Sequence, residues 1–170
     1  MQRAALEFQR ALYSQPSNLR RRDPSTKEWT HSIGKGLFSN LSYKRGETIG
    51  EFVGTWRTKQ EYEVLTAIEP WRKAYSIMST QEHGDILDCY DAYIDGKCML
   101  SFANSPIACW DVVNNKKAVE NCSIVFSNRR ILLKCGVNTV THRSPNSFVT
   151  HTHTELLFNY NKSYVSYSKK

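Results

Sequence analysis

Three stretches of this 170-residue chain carry the residue types best suited to chemistry. The first is Glu155-Leu156-Leu157-Phe158-Asn159-Tyr160, where a tyrosine beside an asparagine follows an apolar run. A tyrosine so placed can line a reaction channel. Its ordinary pKa of about 10 makes it a poor base at neutral pH, so its use is to orient a partner rather than to take a proton. The second is Ile33-Gly34-Lys35-Gly36-Leu37-Phe38, whose glycines permit close approach of the backbone to a neighbour or ligand. No third glycine and no Lys-Ser/Thr pair follows, which excludes a phosphate-cradling nucleotide loop. The third is Phe102-Ala103-Asn104-Ser105, in which Asn104 offers both a donor and an acceptor, or simply a turn.

Other chemistry-bearing groups carry less. His142, His151 and His153 are close enough to suggest a metal site, but a solvated polar loop explains them better. Asp85, Asp88, Asp91 and Asp95 have near-helical spacing and read as acids in surface turns. The five cysteines show no Cys-x-Cys or Cys-x-x-Cys pair, so zinc spacing is absent and reduced core thiols are expected. No metal is expected.

Positioning such residues takes a folded core, and 40% apolar content in one domain-sized chain is enough to build one. No run of residues is apolar enough to span a membrane, and Met1–Glu7 lacks the apolar centre of a secretory signal. The net charge of +7 suits acidic partners such as nucleic acid or nucleosomes, and Arg20-Arg21-Arg22 is the one basic run. Residues 3–13 have the spacing of a short amphipathic helix, and prolines 16 and 24 among serines mark a loop. An N-terminal extension is therefore expected over 1–27 and a compact domain over 28–168.

Strands are expected at Thr48–Gly54, Tyr75–Met78, Ile86–Asp88, Cys122–Phe126 and Arg130–Lys134. Lys44-Arg45-Gly46-Glu47 reads as a turn. Thr58-Lys59-Gln60-Glu61 is a capping box that opens a helix running to about Ile68 and stopped near Pro70. Residues 136–154, rich in Ser, Thr, Asn and His, read as a long loop or excursion. The fold class is mostly β, with few helices and long connections.

In this order the pieces resemble the SET-domain protein lysine methyltransferases. Gly34–Phe38 and Lys44–Gly54 are similar to that family's G-x-G start and "rGe.i.EYvG" strand. Ser101-Phe102-Ala103-Asn104-Ser105 is similar to "RFINHS", and Glu155–Tyr160 to "ELxxDY". The resemblance implies a SET (β-clip) fold of short strands and small sheets, with the tail threaded as a pseudoknot. It implies S-adenosylmethionine as co-substrate and a lysine-bearing protein, a histone tail or nucleosome among the candidates, as acceptor. It implies Tyr160 as the catalytic residue, and cofactor contacts at Ile33, Lys35, Gly36, Tyr75, Asn104, Ser105 and Tyr164. Phe52 and Phe158 would wall the lysine channel, with Phe158 governing how many methyl groups fit. A nuclear rather than cytoplasmic location goes with such a substrate.

The chain departs from the family pattern at four places. Ser101 stands for Arg, Ser105-Pro106 for His-Ser, Asn159 for Asp, and Phe52 for a tyrosine. The cysteine-rich zinc segment that closes the channel in many relatives has no counterpart after Tyr164. The competing expectation is a weak or inactive module of the same fold that serves as a basic interaction domain.

Overall fold

The computed structural model describes residues 11–78, 85–136, 139–140 and 154–158. Its strands are short, and every paired strand is antiparallel. Strand β1 (Leu12–Pro16) pairs with β4 (Lys35–Ser39). Strand β2 (Leu19–Arg21) lies in a four-stranded sheet with β3 (His31–Ser32), β10 (Cys109–Asp111) and β11 (Lys116–Lys117), in the order β11-β10-β2-β3. Strand β6 (Thr48–Glu51) joins the hairpin of β12 (Cys122–Ser127) and β13 (Arg130–Cys135). Strand β5 (Tyr43–Lys44) pairs with β14 (Thr139–Val140), and β9 (Ile86–Asp88) lies between β7 (Thr55–Arg57) and β8 (Ser76–Met78). This is the expected mostly-β architecture of small sheets.

Local chemistry explains most boundaries. The β12–β13 hairpin turns on Asn128 and Arg129, both at positive φ (46° and 60°), the backbone of a type I′ turn whose twist matches the flanking strands. Helix α1 (Lys59–Ile68) opens on the expected capping box. The Thr58 hydroxyl accepts from the Glu61 N–H at 3.2 Å, and the Glu61 carboxylate accepts from the Thr58 N–H at 2.9 Å. Pro70 then ends it in a 3-10 turn, and a short helix α2 (Tyr90–Ile94) follows β9.

The stretch before residue 28 differs from its sequence reading. Leu12 and Tyr13, placed by spacing at the end of a helix, belong to β1, and the remainder of that helix bar Ala11 lies outside the described residues. A five-residue ladder to β4, a buried Leu12 and a Tyr13 ring stacked on Phe38 at 5.9 Å outweigh local helical periodicity. The expected Pro16–Pro24 loop contains β2, hydrogen-bonded across to β3 and β10.

Two clusters make the core. The larger gathers Leu37, Ile49, Phe52, Ile77, Leu87, Leu100, Phe126, Ile131, Leu133, Leu156 and Phe158. The smaller holds Leu19, Cys109, Ala118 and Leu157. All five cysteines are free and buried, as their spacing predicts.

Asp88 is not in a surface turn. Its side chain is fully buried, with Arg57 Nε at 2.9 Å, Arg72 Nη1 at 3.2 Å and the Tyr90 N–H at 3.1 Å. Arg72 also reaches Glu69 and Asp91 and lies over the Tyr90 ring at 5.0 Å. Two guanidiniums thus converge on one buried acid and pin α2 and the 3-10 turn to the end of β9. Asp88→Asn removes the charge that both arginines face, and breaking a buried pair of this kind costs about 3 kcal/mol. A fall in melting temperature of about 6–12 °C is expected by scanning calorimetry, and an unchanged melting point would show that the network contributes nothing.

Candidate functional site

The segment Glu155–Phe158 is the point at which the other pieces meet. It runs extended, so its side chains alternate. Leu156 and Phe158 enter the larger core while Leu157 enters the smaller one. The backbone is held from three directions. Leu156 N donates to Leu37 O at 2.9 Å, and Phe158 N donates to Asn104 O at 3.2 Å. Asn121 takes two more groups: its Oδ1 accepts from Leu157 N at 2.8 Å, and its Nδ2 donates to Glu155 O at 2.8 Å. The N–H groups of Asn121 and Cys122 both donate to Leu157 O. The bridges to Leu37 and Asn104 are antiparallel and parallel respectively, so the segment lies between β4 and the chain at Asn104.

Glu155 supplies the polar part of this junction. Its carboxylate is buried and accepts from the Ser17 hydroxyl at 2.7 and 3.0 Å, the Asn18 N–H at 2.8 Å and Asn104 Nδ2 at 3.1 Å. No lysine or arginine pairs with it among the described residues. Burial pushes its pKa up, against the lowering effect of the bonds from Ser17, Asn104 and Asn18. Gly36 lies against this carboxylate, and a methyl group there would run into it. The close approach that Gly36 permits is thus to Glu155. Asn104 donates its second amide proton to Lys35 O at 2.9 Å, which ties the start of β4 to the tail. Ile33 is half-buried, Lys35 exposed and Ser105 half-buried around the same junction.

A second group of residues forms an aromatic wall. The rings of Phe52 and Phe158 meet edge to face at 5.7 Å, both buried. Tyr75 stacks on Tyr93 at 4.4 Å, and Tyr93 meets Phe102 edge-on at 5.3 Å, so the row runs from Tyr75 to the 3-10 turn Met99–Phe102 that precedes Asn104. Burial and a hydrogen bond to Tyr93 raise the pKa of Tyr75. Phe52, Tyr75, Ile77 and Ser101 surround a cavity of about 10 Å³, room for roughly one water. Beneath it, the buried Ser101 hydroxyl lies beside Cys98, whose thiol Cys89 lowers in pKa by a hydrogen bond.

The structure therefore brings Gly36, Lys35, Asn104 and the Glu155–Phe158 segment into direct contact, and joins Phe52 to Phe158. Tyr160, Tyr164 and Asn159 lie outside the described residues, as do His142, His151 and His153. Sequence reasoning passed over Ser17, Asn18 and Asn121, which clamp the tail, and Tyr93. The spacing of Tyr90 and Tyr93 on one turn of α2 was the available signal for the last. The others are single polar residues whose partners are remote in the chain.

Among solved structures, the chain is similar to CpSET8 from Cryptosporidium, at 13% identity and a TM-score of 0.47, over 78% of this chain and 56% of that one. It is also similar to the Neurospora SET domain protein DIM-5, a histone lysine methyltransferase, at 16% identity and a TM-score of 0.49, over 83% of this chain and 53% of that one. The chain spans a little over half the length of these proteins. No protein-family model and no curated protein matches. Neither likeness assigns an activity.

Because the folded pKa of Glu155 is raised, its contribution to stability is full below the ordinary value of 4.5 and is lost as the pH climbs through the raised one. Glu155→Gln cannot ionise and lacks that dependence. Melting curves from about pH 4 to 8 should show the wild-type protein losing stability relative to the variant as the pH rises from 4.5. A difference that stays constant with pH would count against the assignment.

Proposed function

We propose that this chain transfers methyl groups from S-adenosylmethionine to the side-chain amine of a lysine in a protein, with a nuclear protein such as a histone as the acceptor. One observation carries the reading. The stretches that resemble the SET-domain methyltransferases are remote in sequence, yet Gly36, Asn104 and the Glu155–Phe158 segment contact one another directly.

The residues present fit the co-substrate in chemistry. Asn104 has both amide protons engaged by Lys35 O and Glu155, which leaves its Oδ1 to accept from an amine. Ile33, Lys35 and Ser105 lie at the accessible rim of the same junction, and Tyr75 offers an aromatic ring. S-adenosylmethionine supplies the activated methyl group. The protein has to supply a neutral, oriented amine. A free lysine has a pKa of about 10.4, so its neutral form costs about 4 kcal/mol at neutral pH. Apolar walls such as Phe52 and Phe158 lower that cost by withholding water from the ammonium. Tyr160 is assigned the orienting role, with its hydroxyl holding the amine in line. Phe158 carries no hydroxyl to bind a water, so the channel leaves room for a second and third methyl group.

A second reading, a non-catalytic basic module of the same fold, has one observation in its favour: the cavity beside Phe52 and Tyr75 is only about 10 Å³. Isothermal calorimetry and thermal shift with S-adenosylmethionine separate the two. The enzyme reading requires binding and a raised melting temperature; a module that ignores the ligand sinks it. Radiolabelled transfer onto histones, nucleosomes and a lysate should then identify the acceptor. Tyr160→Phe should lower kcat by about 10²-fold or more while cofactor affinity is kept. For Phe158→Tyr, mass spectrometry of a peptide product should show a shift from di- or trimethyl-lysine toward monomethyl-lysine. Monomethylation by both proteins would remove the product-size role from Phe158.

A further inference from the structure

The Arg20-Arg21-Arg22 run plays no part in the site described above, and the fold places it on a distinct surface. In the four-stranded sheet the register sets Lys117, Trp110, Arg20 and Ser32 side by side across four strands. Residues directly opposite one another share a face, and the other face of β2 and β10 is closed by the fully buried Leu19 and Cys109. The Lys117–Ser32 row is therefore the outward one. Trp29 stacks on Trp110 at 5.9 Å with 30° between the rings, and the Arg22 guanidinium lies over Trp29 at 5.9 Å. Trp29 is 36% exposed, so part of its indole is open to solvent.

The charges of this surface are not neutralised from within. None of Arg20, Arg21, Arg22, Lys116 or Lys117 forms an ion pair among the described residues. Two of these arginines are instead fixed by backbone carbonyls. Arg20 Nη1 donates to Ser17 O and Leu19 O, and Arg22 Nε donates to Lys27 O. Two of the nearby carboxylates are engaged locally: Asp23 caps the turn at Ser25 and Thr26, and Asp111 caps Val113 and Asn114, while Glu28 is exposed in the β2–β3 connection. A row of cations beside a pair of stacked indoles is the combination that binds a flexible polyanion carrying planar rings.

We propose that the outer face of the β11-β10-β2-β3 sheet binds single-stranded nucleic acid, with bases stacking on Trp29 and Trp110 and phosphates held by Arg20, Arg22 and Lys117. An acidic peptide would use the charges but not the indoles, and a membrane would take indoles inserted at its interface rather than stacked on each other, which is why the stacked pair favours a nucleic acid. This surface is separate from the Glu155 junction and does not depend on the methyl-transfer reading.

The test is fluorescence anisotropy of the full chain with labelled oligouridylate and oligothymidylate of about twelve nucleotides. A duplex of equal length, polyglutamate and phosphatidylserine vesicles serve as the other arms. Single strands should bind best, quench tryptophan fluorescence and show a log–log salt slope of about −2, as roughly three phosphate contacts require. The two single strands distinguish RNA from DNA as the preferred form. Trp29→Ala should weaken binding about tenfold and Trp29→Phe should keep most of it; the pair Arg22→Glu and Lys117→Glu should flatten the salt slope. Trp29 lies at the surface, so its variants remain informative if the charge reversals fail to fold. No binding, equal binding of duplex, polyglutamate or vesicles, or indifference to Trp29→Ala overturns the proposal.

Discussion

A four-residue extended segment with no free side holds this molecule together. Glu155–Phe158 is bonded along its backbone to Leu37, Asn104, Asn121 and Cys122, and its side chains are buried in alternate directions. Each of Leu156, Leu157 and Phe158 contributes about 2 kcal/mol of apolar burial. Because Leu157 faces one core and its neighbours the other, the segment is the partition between two clusters as well as a part of both. A slip of one residue would put Leu157 in the larger core and Leu156 in the smaller, and would direct Glu155 into hydrocarbon. The register is therefore fixed by chemistry on both faces at once.

Glu155 makes that fixation polar and costly to break. Every group that reaches its carboxylate is a donor: one hydroxyl, one backbone N–H and one amide. Protonation or amidation of the acid would present a donor to donors, while ionisation in a buried setting is itself opposed by desolvation. Among the described residues the junction meets the conflict with three donors and no counter-ion, and Gly36 is the residue that gives the carboxylate room. Gly34, on the other side of Lys35, has open space around it and is instead required by its positive φ of 92°. The Glu155 contacts join residues from opposite ends of the chain, a non-local topology of the kind associated with slow folding.

What the sequence made legible follows the range of the forces. The capping box at Thr58, the strands around Ile86, Cys122 and Arg130 and the buried thiols are decided within a few residues, and local pattern suffices to find them. That Gly36, Asn104 and Glu155–Phe158 come together was expected from the order of their stretches along the chain, and the contacts among them agree, while the roles of these residues are a matter of proposal. Strand β1 was hidden because its helical spacing is overruled by a ladder to β4 that no local window contains. Asp88 was hidden for the same reason: its arginine partners come from β7 and from the turn after α1. Ser17, Asn18 and Asn121 are ordinary polar residues until the tail is laid between them, and Trp29 finds Trp110 only once β2 and β10 are paired.

Strand β2 and the two residues before it belong to both of the surfaces described. Ser17 and Asn18 hold the Glu155 carboxylate, Leu19 packs in the cluster that receives Leu157, and Arg20 stands beside Trp110 on the outer face. The basic sheet and the tail junction are thus two sides of one short piece of chain. Proximity alone does not couple two sites; coupling needs an element with two arrangements that both sites bias. Here the intervening element has Leu19 fully buried, Ser17 bonded to both carboxylate oxygens and Arg20 pinned to its own backbone. Such a strand is a poor switch and a good ruler. It fixes the position of a ligand on the outer sheet relative to the tail rather than transmitting a change of shape, so any effect of one surface on the other would arise from tethering a partner nearby and raising its local concentration.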